Sequence, residues 1–173
     1  VIRQYPQIEL ISVLGAPQAD VATNALNNII ADVKSQGKTI DLINAPADVA
    51  ILGAVEALKA NGMWYPIGNA RHVFVISHDG QKEMLDLVRD NYVDVDIVLD
   101  TYGVGGIAVE VLNEYTMKGL AVPASGTFTA KGEYLNTTVE FTQGANGPTI
   151  LLPPLMVTKE NVDNPYIWGN ASK

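Results

Sequence analysis

Two kinds of periodic hydrophobic segment alternate along the first two thirds of the chain. Short apolar runs, rich in β-branched residues and broken by Gly, Pro, Asn or Asp, predict strands at residues 7–14, 39–43, 73–77 and 96–99. After each run, apolar residues recur at helical spacing, which predicts helices at residues 21–36, 49–61, 81–91 and 107–118. Because strictly alternating strands and helices form parallel sheets with helices on both faces, we predict an α/β fold, a three-layer sandwich around a mainly parallel, doubly wound sheet.

The last part of the chain has a different texture. Thr, Gly and aromatic residues alternate over residues 127–143 and predict extended structure, and a turn signal follows at residues 144–147. A second extended run covers residues 148–158, where Pro153 and Pro154 exclude a central position in a sheet. The β-α alternation therefore ends near residue 123.

Polar residues follow the predicted strands at the edge of the sheet where such folds bind ligands. Asn44, Asp79 and Asp100 each end a strand, and Asp20 follows the turn after the first one. Their oxygens can accept hydrogen bonds from ligand hydroxyl groups, so we predict a ligand-binding rim there. Helix capping is the alternative explanation for each of them, and for Asp48, directly ahead of an amphipathic helix, capping alone is sufficient.

Charge and composition exclude several classes of partner and site. The formal net charge is −8 and the 11 Lys and Arg residues form no cluster, which argues against nucleic acid and anionic membranes. The chain has no Cys, so disulfides and zinc-thiolate sites are excluded. The apolar runs are far shorter than the roughly 20 residues of a membrane-spanning helix, and no signal peptide is recognisable from Val1 onward. We expect a soluble protein without a cofactor.

Residue combinations with catalytic or metal-binding potential lack the required spacing. His72 and His78 have no acidic residue at the usual ligand spacing, so we predict no metal site. Ser77, His78 and Asp79 are adjacent, and neighbouring strand residues point to opposite faces, which argues against a catalytic triad. The glycines at residues 103–106 lack the dinucleotide-binding spacing and a neighbouring Lys or Arg. We therefore expect a binding protein rather than an enzyme.

Two further roles for residues near the rim follow from their chemistry. Asp79 and Asp100 form a carboxylate pair of the kind that catalyses glycoside hydrolysis. Ligand binding is the simpler role for two hydrogen-bond acceptors at this position. Trp64, Tyr65 and Tyr102 can stack on the apolar face of a sugar, and burial in the core is the alternative for each aromatic ring.

Residues 73–80, VFVISHDG, resemble the strand and Phe-Asp-Gly turn of type I periplasmic sugar-binding proteins, the ribose-binding family and its relatives. Three more segments resemble that family in the same order: LINAPADVAILGAVEALKANG, IVLDTYGVGGIAVEVL and LLPPLMVTKENVD. Together the four segments extend the resemblance over about residues 7–163, nearly the whole chain. The resemblance implies the extracytoplasmic or periplasmic solute-binding component of an ABC transporter, which binds a small sugar or polyol between two lobes and delivers it to a permease.

The resemblance also implies roles for particular residues. The family aspartate that hydrogen-bonds sugar hydroxyls falls on Asp79. The family asparagine falls near Asn44, although an ungapped match places Ala47 there. The family glutamine at the crossing between lobes falls on Asp100 in one register and on Leu99 in the other.

The chain departs from the family pattern in length and in two side chains. It has no counterpart of the family's arginine between residues 15 and 24, and His78 replaces the usual Phe. The first lobe of the family's two-lobed proteins has no matching segment in this chain. Residues 1–102 therefore correspond to the ligand-binding C-terminal lobe, and residues 103–173 to a crossover helix and an extended segment that would return to the missing N-terminal lobe.

This division predicts self-association, because the apolar face of the crossover helix would be left open. The effector-binding domain of a repressor of the lactose-repressor type, which shares the fold, is the alternative function.

Overall fold

The computed structural model describes residues 4–12 and 18–171. The α-helices are α1 (Ala19–Ser35), α2 (Asp48–Ala60), α3 (Lys82–Arg89), α4 (Thr101–Glu114) and α5 (Trp168–Ala171), with a 3-10 turn at Thr116–Lys118. The strands are β1 (Leu42–Asn44), β2 (Phe74–His78), β3 (Val95–Val98), β4 (Gly126–Thr129), β5 (Thr138–Gly144), β6 (Gly147–Ile150) and β7 (Leu155–Val157). No helix within the described residues is long and apolar enough to cross a membrane.

A four-stranded, mainly parallel sheet in the order β1-β2-β3-β7 organises the molecule. The first three strands are parallel, and β7 joins β3 in the antiparallel sense. This sheet with its connecting helices confirms the predicted α/β class. The strand predicted at residues 7–14 is wrong over residues 7–12, which form a turn and irregular structure with Ile8, Leu10 and Ile11 exposed and pair with no strand in the described part of the chain. Residues 13 and 14 lie outside the described residues.

Helices α2 and α3 cover one face of this sheet, and α1 packs on α2. Alternate strand residues such as Val75, Val98 and Val157 point toward them and are fully buried against α2 and α3. Helix α1 packs on α2 at Gly53, where an added Cβ would lie 2.0 Å from the carbonyl oxygen of Ala19. Only glycine permits this close approach, which lets α1 lie directly against α2.

The opposite face of the sheet is open in the described part of the chain. Leu42 and Phe74 are register partners on that face, and Met156 lies on it opposite Ile97. Leu42, Phe74 and Met156 are exposed. Helices α2 and α3 pack on the other face, where they bury Val75, Val98 and Val157.

Helix α4 packs against a separate antiparallel sheet in the order β4-β5-β6. Ile107 and Val111 of α4 form a small core with Phe128, Val139 and Phe141. The other side of α4 exposes apolar residues, namely Val104, Val109 and Leu112.

The chain then returns to the first sheet. Strand β7 pairs with β3, α5 contacts α3, and Arg89 of α3 forms an ion pair with Asp163 at 2.7 Å. Residues 155–171 therefore add a strand and a helix to the first sheet and its core. The division of the chain into residues 1–102 and 103–173 stays a prediction.

Candidate functional site

The carboxyl ends of the three parallel strands form an open rim. Asn44 ends β1 and is exposed, and His78 ends β2. Both side chains lie on the open face of the sheet, and the His78 Nε2 atom is 3.3 Å from the Asn44 Oδ1 atom. Asp79 follows directly. The rim therefore brings together a carboxylate, an amide and an imidazole, which can accept and donate hydrogen bonds to a polar ligand.

Asp79 has a backbone conformation that side-chain-bearing residues rarely adopt. Its φ angle is 121°, and the next residue, Gly80, has a φ of 85°. A non-glycine residue at positive φ is strained, and such strain is concentrated at functional sites, where the surrounding structure enforces it. The Asp79 N–H donates to the carbonyl oxygen of Ile97 at 3.2 Å, which ties the turn to β3. The carboxylate is partly exposed.

The C-terminal segment holds this turn from behind. The indole Nε1–H of Trp168 donates to the carbonyl oxygen of Asp79. Gly169 packs so closely that an added Cβ would lie 2.2 Å from the carbonyl oxygen of Gly80. Neither residue is predicted from the sequence, because their partners lie almost 90 positions earlier in the chain.

Asp48 lies beneath the turn and has a role other than the predicted one. The N-cap of α2 is Ala47, and the fully buried Asp48 is the first residue of the helix. Its Oδ1 atom accepts a hydrogen bond from the Ser77 hydroxyl, and its Oδ2 atom accepts one from the Gln81 N–H at 2.6 Å. The prediction of capping alone is therefore wrong. Desolvation by burial raises the pKa of the Asp48 carboxyl above its ordinary value.

Asp96 is a second fully buried carboxyl group beside the first. It lies opposite Ser77 in the β2–β3 ladder, on the same side of the sheet as Asp48. Neither of its oxygens has a hydrogen-bond partner within the described residues. Burial, followed by the charges of Asp48 and Asp79, raises the pKa of Asp96 to about 8. The carboxyl group is therefore largely protonated at neutral pH.

Asp100 is occupied by internal contacts. It is the N-cap of α4, where its Oδ1 atom accepts from the Gly103 N–H at 2.8 Å. Its Oδ2 atom accepts from the N–H and the amide group of Asn136 at 2.8 and 3.1 Å. The side chain is 2% exposed, so the structure explains Asp100 as a capping residue, whereas its neighbours Leu99 and Tyr102 are exposed at the rim.

Asp20 lies apart from the rim residues. The N-cap of α1 is Gln18, and Asp20 is exposed in the first turn without capping it. With Gly53, Glu56 and Glu83 it lines a groove of about 400 Å³ between α1, α2 and α3. The structure therefore does not bring Asp20 together with Asn44 and Asp79.

The remaining aromatic and histidine candidates lie at the amino ends of the strands. Trp64 stacks on Tyr92 with ring centroids 5.2 Å apart, and Arg71 lies over the Tyr65 ring at 4.1 Å. His72 contacts Asp94, with 2.9 Å between Nε2 and Oδ2. Of the three aromatic candidates, only Tyr102 is at the rim. Over residues 4–12 and 18–171, no cluster of three metal-binding side chains is formed.

The chain matches a known protein family over most of its length. A sequence profile described as "Periplasmic binding protein domain" matches residues 1–119. A search of curated protein sequences gave no match.

Several solved structures share the fold. An ABC transporter periplasmic solute binding protein from Actinobacillus succinogenes 130z with bound D-allose has a TM-score of 0.67 and 20% identity, covering 94% of this chain and 45% of that one. An ABC transporter solute binding protein from Bacillus halodurans C-125 with bound myo-inositol has a TM-score of 0.60 and 22% identity, with coverages of 94% and 44%. A galactofuranose binding protein has a TM-score of 0.65 and 18% identity, with coverages of 94% and 45%. The chain spans less than half the length of each.

Proposed function

Because the chain belongs to the periplasmic binding protein domain family, we propose that it is part of the extracytoplasmic solute-binding component of an ABC transporter. In this proposal the whole protein binds a neutral sugar or polyol and delivers it to a permease without changing it chemically. The observation that carries the proposal is the strained Asp79 turn, held at the carboxyl edge of a parallel sheet by strand and C-terminal contacts. Strain of this kind persists where the surrounding structure enforces it.

Three rim side chains are assigned to the ligand in this proposal. The Asp79 carboxylate accepts hydrogen bonds from sugar hydroxyl groups, and a charged acceptor makes these bonds stronger than neutral ones. Asn44 and His78 supply further polar contacts next to the Asp79 carboxylate. The Asn44 Oδ1 and His78 Nε2 atoms lie 3.3 Å apart. Tyr102, exposed at the start of α4, offers a ring to the apolar face of the sugar. Asp100 and Asp20 are left out, because the first is buried in internal hydrogen bonds and the second lines a different groove.

The open geometry of the rim fits a cleft that needs a second lobe. Asn44 and Tyr102 are exposed, whereas small-molecule binding sites bury most of the ligand surface. We therefore assign sugar binding to the whole protein, in which a second lobe closes over the rim. Self-association of this chain alone, through the apolar side of α4 at Val104, Val109 and Leu112, stays a prediction.

Thermal denaturation of the whole protein with a panel of solutes tests the proposal. The panel contains D-allose, D-glucose, L-arabinose and myo-inositol at 1 mM, with glycine and citrate as non-sugar controls. A sugar bound with micromolar affinity stabilises the folded state by about 4 kcal/mol, which raises Tm by several degrees. We expect at least one sugar or polyol to do so and the controls to have no effect. Sequence-specific DNA binding relieved by a sugar would instead support the repressor alternative, and no shift with any sugar would contradict the proposal.

A further inference from the structure

The turn that carries Asp79 is held at both ends by one buried carboxylate. Ser77 precedes His78 and Asp79, and Gln81 follows Gly80. The Ser77 hydroxyl donates to Asp48 Oδ1, and the Gln81 N–H donates to Asp48 Oδ2 at 2.6 Å. The two oxygens of a single side chain, fixed at the start of α2, therefore define where the intervening residues lie.

Asp48 is buried more deeply than helix capping would require. It is 0% exposed, and the neighbouring Asp96 is also 0% exposed with two oxygens that lack a hydrogen-bond partner within the described residues. Two adjacent buried carboxyl groups cannot both ionise without a large cost, so one of them retains a proton. The hydrogen bonds that Asp48 accepts from the Ser77 hydroxyl and the Gln81 N–H stabilise its charged form, so the charge belongs on Asp48 and the proton on Asp96.

We propose that Asp48 is the positioning residue of the ligand site, and that the protonated Asp96 beside it keeps the Asp48 carboxylate available to hold the Asp79 turn. The inference rests on the proposed function, because Asp79 is a ligand contact only there. In this arrangement, loss of the Asp48 contacts releases the strained backbone of Asp79 toward an ordinary φ and turns its carboxylate away from the rim.

Asp94, which binds β2 at its amino end, offers a matched control. Asp94 is also a poorly exposed carboxylate, with a side chain 10% exposed, and it accepts a hydrogen bond from the Val75 N–H at 2.8 Å and contacts His72 Nε2 at 2.9 Å. An Asn at position 94 thus disturbs a similar set of bonds on β2, at the amino end rather than at the rim.

The test compares Asp48→Asn with Asp94→Asn in the whole protein. Affinity for D-allose, D-glucose, L-arabinose and myo-inositol is measured by calorimetry, and exchange of the Gln81 amide hydrogen by NMR. We expect Asp48→Asn to weaken the affinity for the bound sugar at least tenfold and to speed Gln81 exchange at least tenfold. Asp94→Asn should leave both within twofold of the wild-type values, although it lowers stability.

The outcomes separate the inference from the proposed function. Wild-type affinity in Asp48→Asn, or unchanged Gln81 exchange, overturns the positioning role while sugar binding by the wild type still supports the function. If the wild type binds none of the four solutes, the function fails and Gln81 exchange alone decides the role of Asp48. If Asp48→Asn does not fold, Ser77→Ala removes the bond to Asp48 Oδ1, and an affinity for the bound sugar within twofold of wild type in that variant overturns the inference.

A pH profile gives a readout that a purely structural role would not produce. The ionisable groups that face Asp96 are Asp48 from α2 and Asp79 from the turn. Ionised Asp96 would repel both, so wild-type sugar affinity should fall several-fold as the pH rises from 7 to 9. In Asp96→Asn the affinity should stay constant over this range, and an equal decline in both proteins would contradict the proposal.

Discussion

Asp96→Asn is expected to make the protein more stable above neutral pH. In the folded state burial raises the pKa of Asp96 to about 8, whereas an unfolded chain has the ordinary value of 3.8. The folded state therefore binds more protons between these values, and the stability contributed by Asp96 is present below pH 4 and is lost as the pH rises to 8. Asparagine does not titrate, so it removes this loss.

The size of the effect follows from the two pKa values. From pH 5 to pH 8, the unfolding free energy of Asp96→Asn relative to wild type should increase by about 4 kcal/mol. The buried amide of the Asp96→Asn variant lacks hydrogen-bond partners, which costs about 1–3 kcal/mol. This cost lowers the unfolding free energy of the variant relative to wild type by the same amount at every pH. Urea denaturation of this chain at pH 5, 6, 7 and 8 measures it. Asp41→Asn, at an exposed position before β1, is the control and should show no pH-dependent difference. A constant difference for Asp96→Asn would show that the carboxyl group is not protonated.

Trp168→Ala is expected to destabilise the chain by about 3 kcal/mol. The ring packs against the main core cluster, and its indole N–H donates to the carbonyl oxygen of Asp79. Removing a large aromatic ring leaves a cavity and costs about 3–5 kcal/mol when burial is complete, and Trp168 is partly buried. The loss also removes a hydrogen bond that holds the strained turn. The midpoint of urea denaturation at pH 7 measures the change.

Two variants separate packing from hydrogen bonding at this position. Trp168→Phe keeps an aromatic ring and lacks the indole donor, so its cost should be roughly 1–2 kcal/mol. Tyr166→Ala removes an exposed ring two residues earlier and should change stability by less than about 0.5 kcal/mol. If Trp168→Ala costs no more than Tyr166→Ala, the C-terminal segment does not support the turn.

The order of strands and helices could be predicted because it depends on local periodicity. The run predicted at residues 73–77 became β2 at Phe74–His78, and the helix predicted at residues 49–61 became α2 at Asp48–Ala60. The prediction failed at residues 7–12, where an apolar alternation joins no sheet among the described residues and leaves Ile8, Leu10 and Ile11 exposed. Sequence alone does not reveal whether such a partner is available.

The site was only partly predictable. The rim position of Asn44, Asp79 and Tyr102 follows from the parallel-sheet topology, which the β-α pattern indicates. The roles of the carboxylates do not follow from it, because they depend on contacts between distant parts of the chain. Asp48 binds Ser77 and Gln81, 29 and 33 positions away, and Asp100 binds Asn136, 36 positions away. Each of these aspartates is next to a helix start, so local sequence does not distinguish a cap from a buried support.

Calorimetric titration of the whole protein and its Asp79→Gly variant with the sugar found in the panel tests the central claim most directly. Glycine accepts the φ of 121° without strain, so this variant removes the carboxylate while the backbone of the turn is kept. We expect the affinity to fall at least tenfold, as loss of a charged hydrogen bond requires, with no loss of stability. Asp41→Ala, at the opposite end of β1, should bind as the wild type does. Affinity of Asp79→Gly within twofold of wild type would contradict the assignment of this rim as the sugar site.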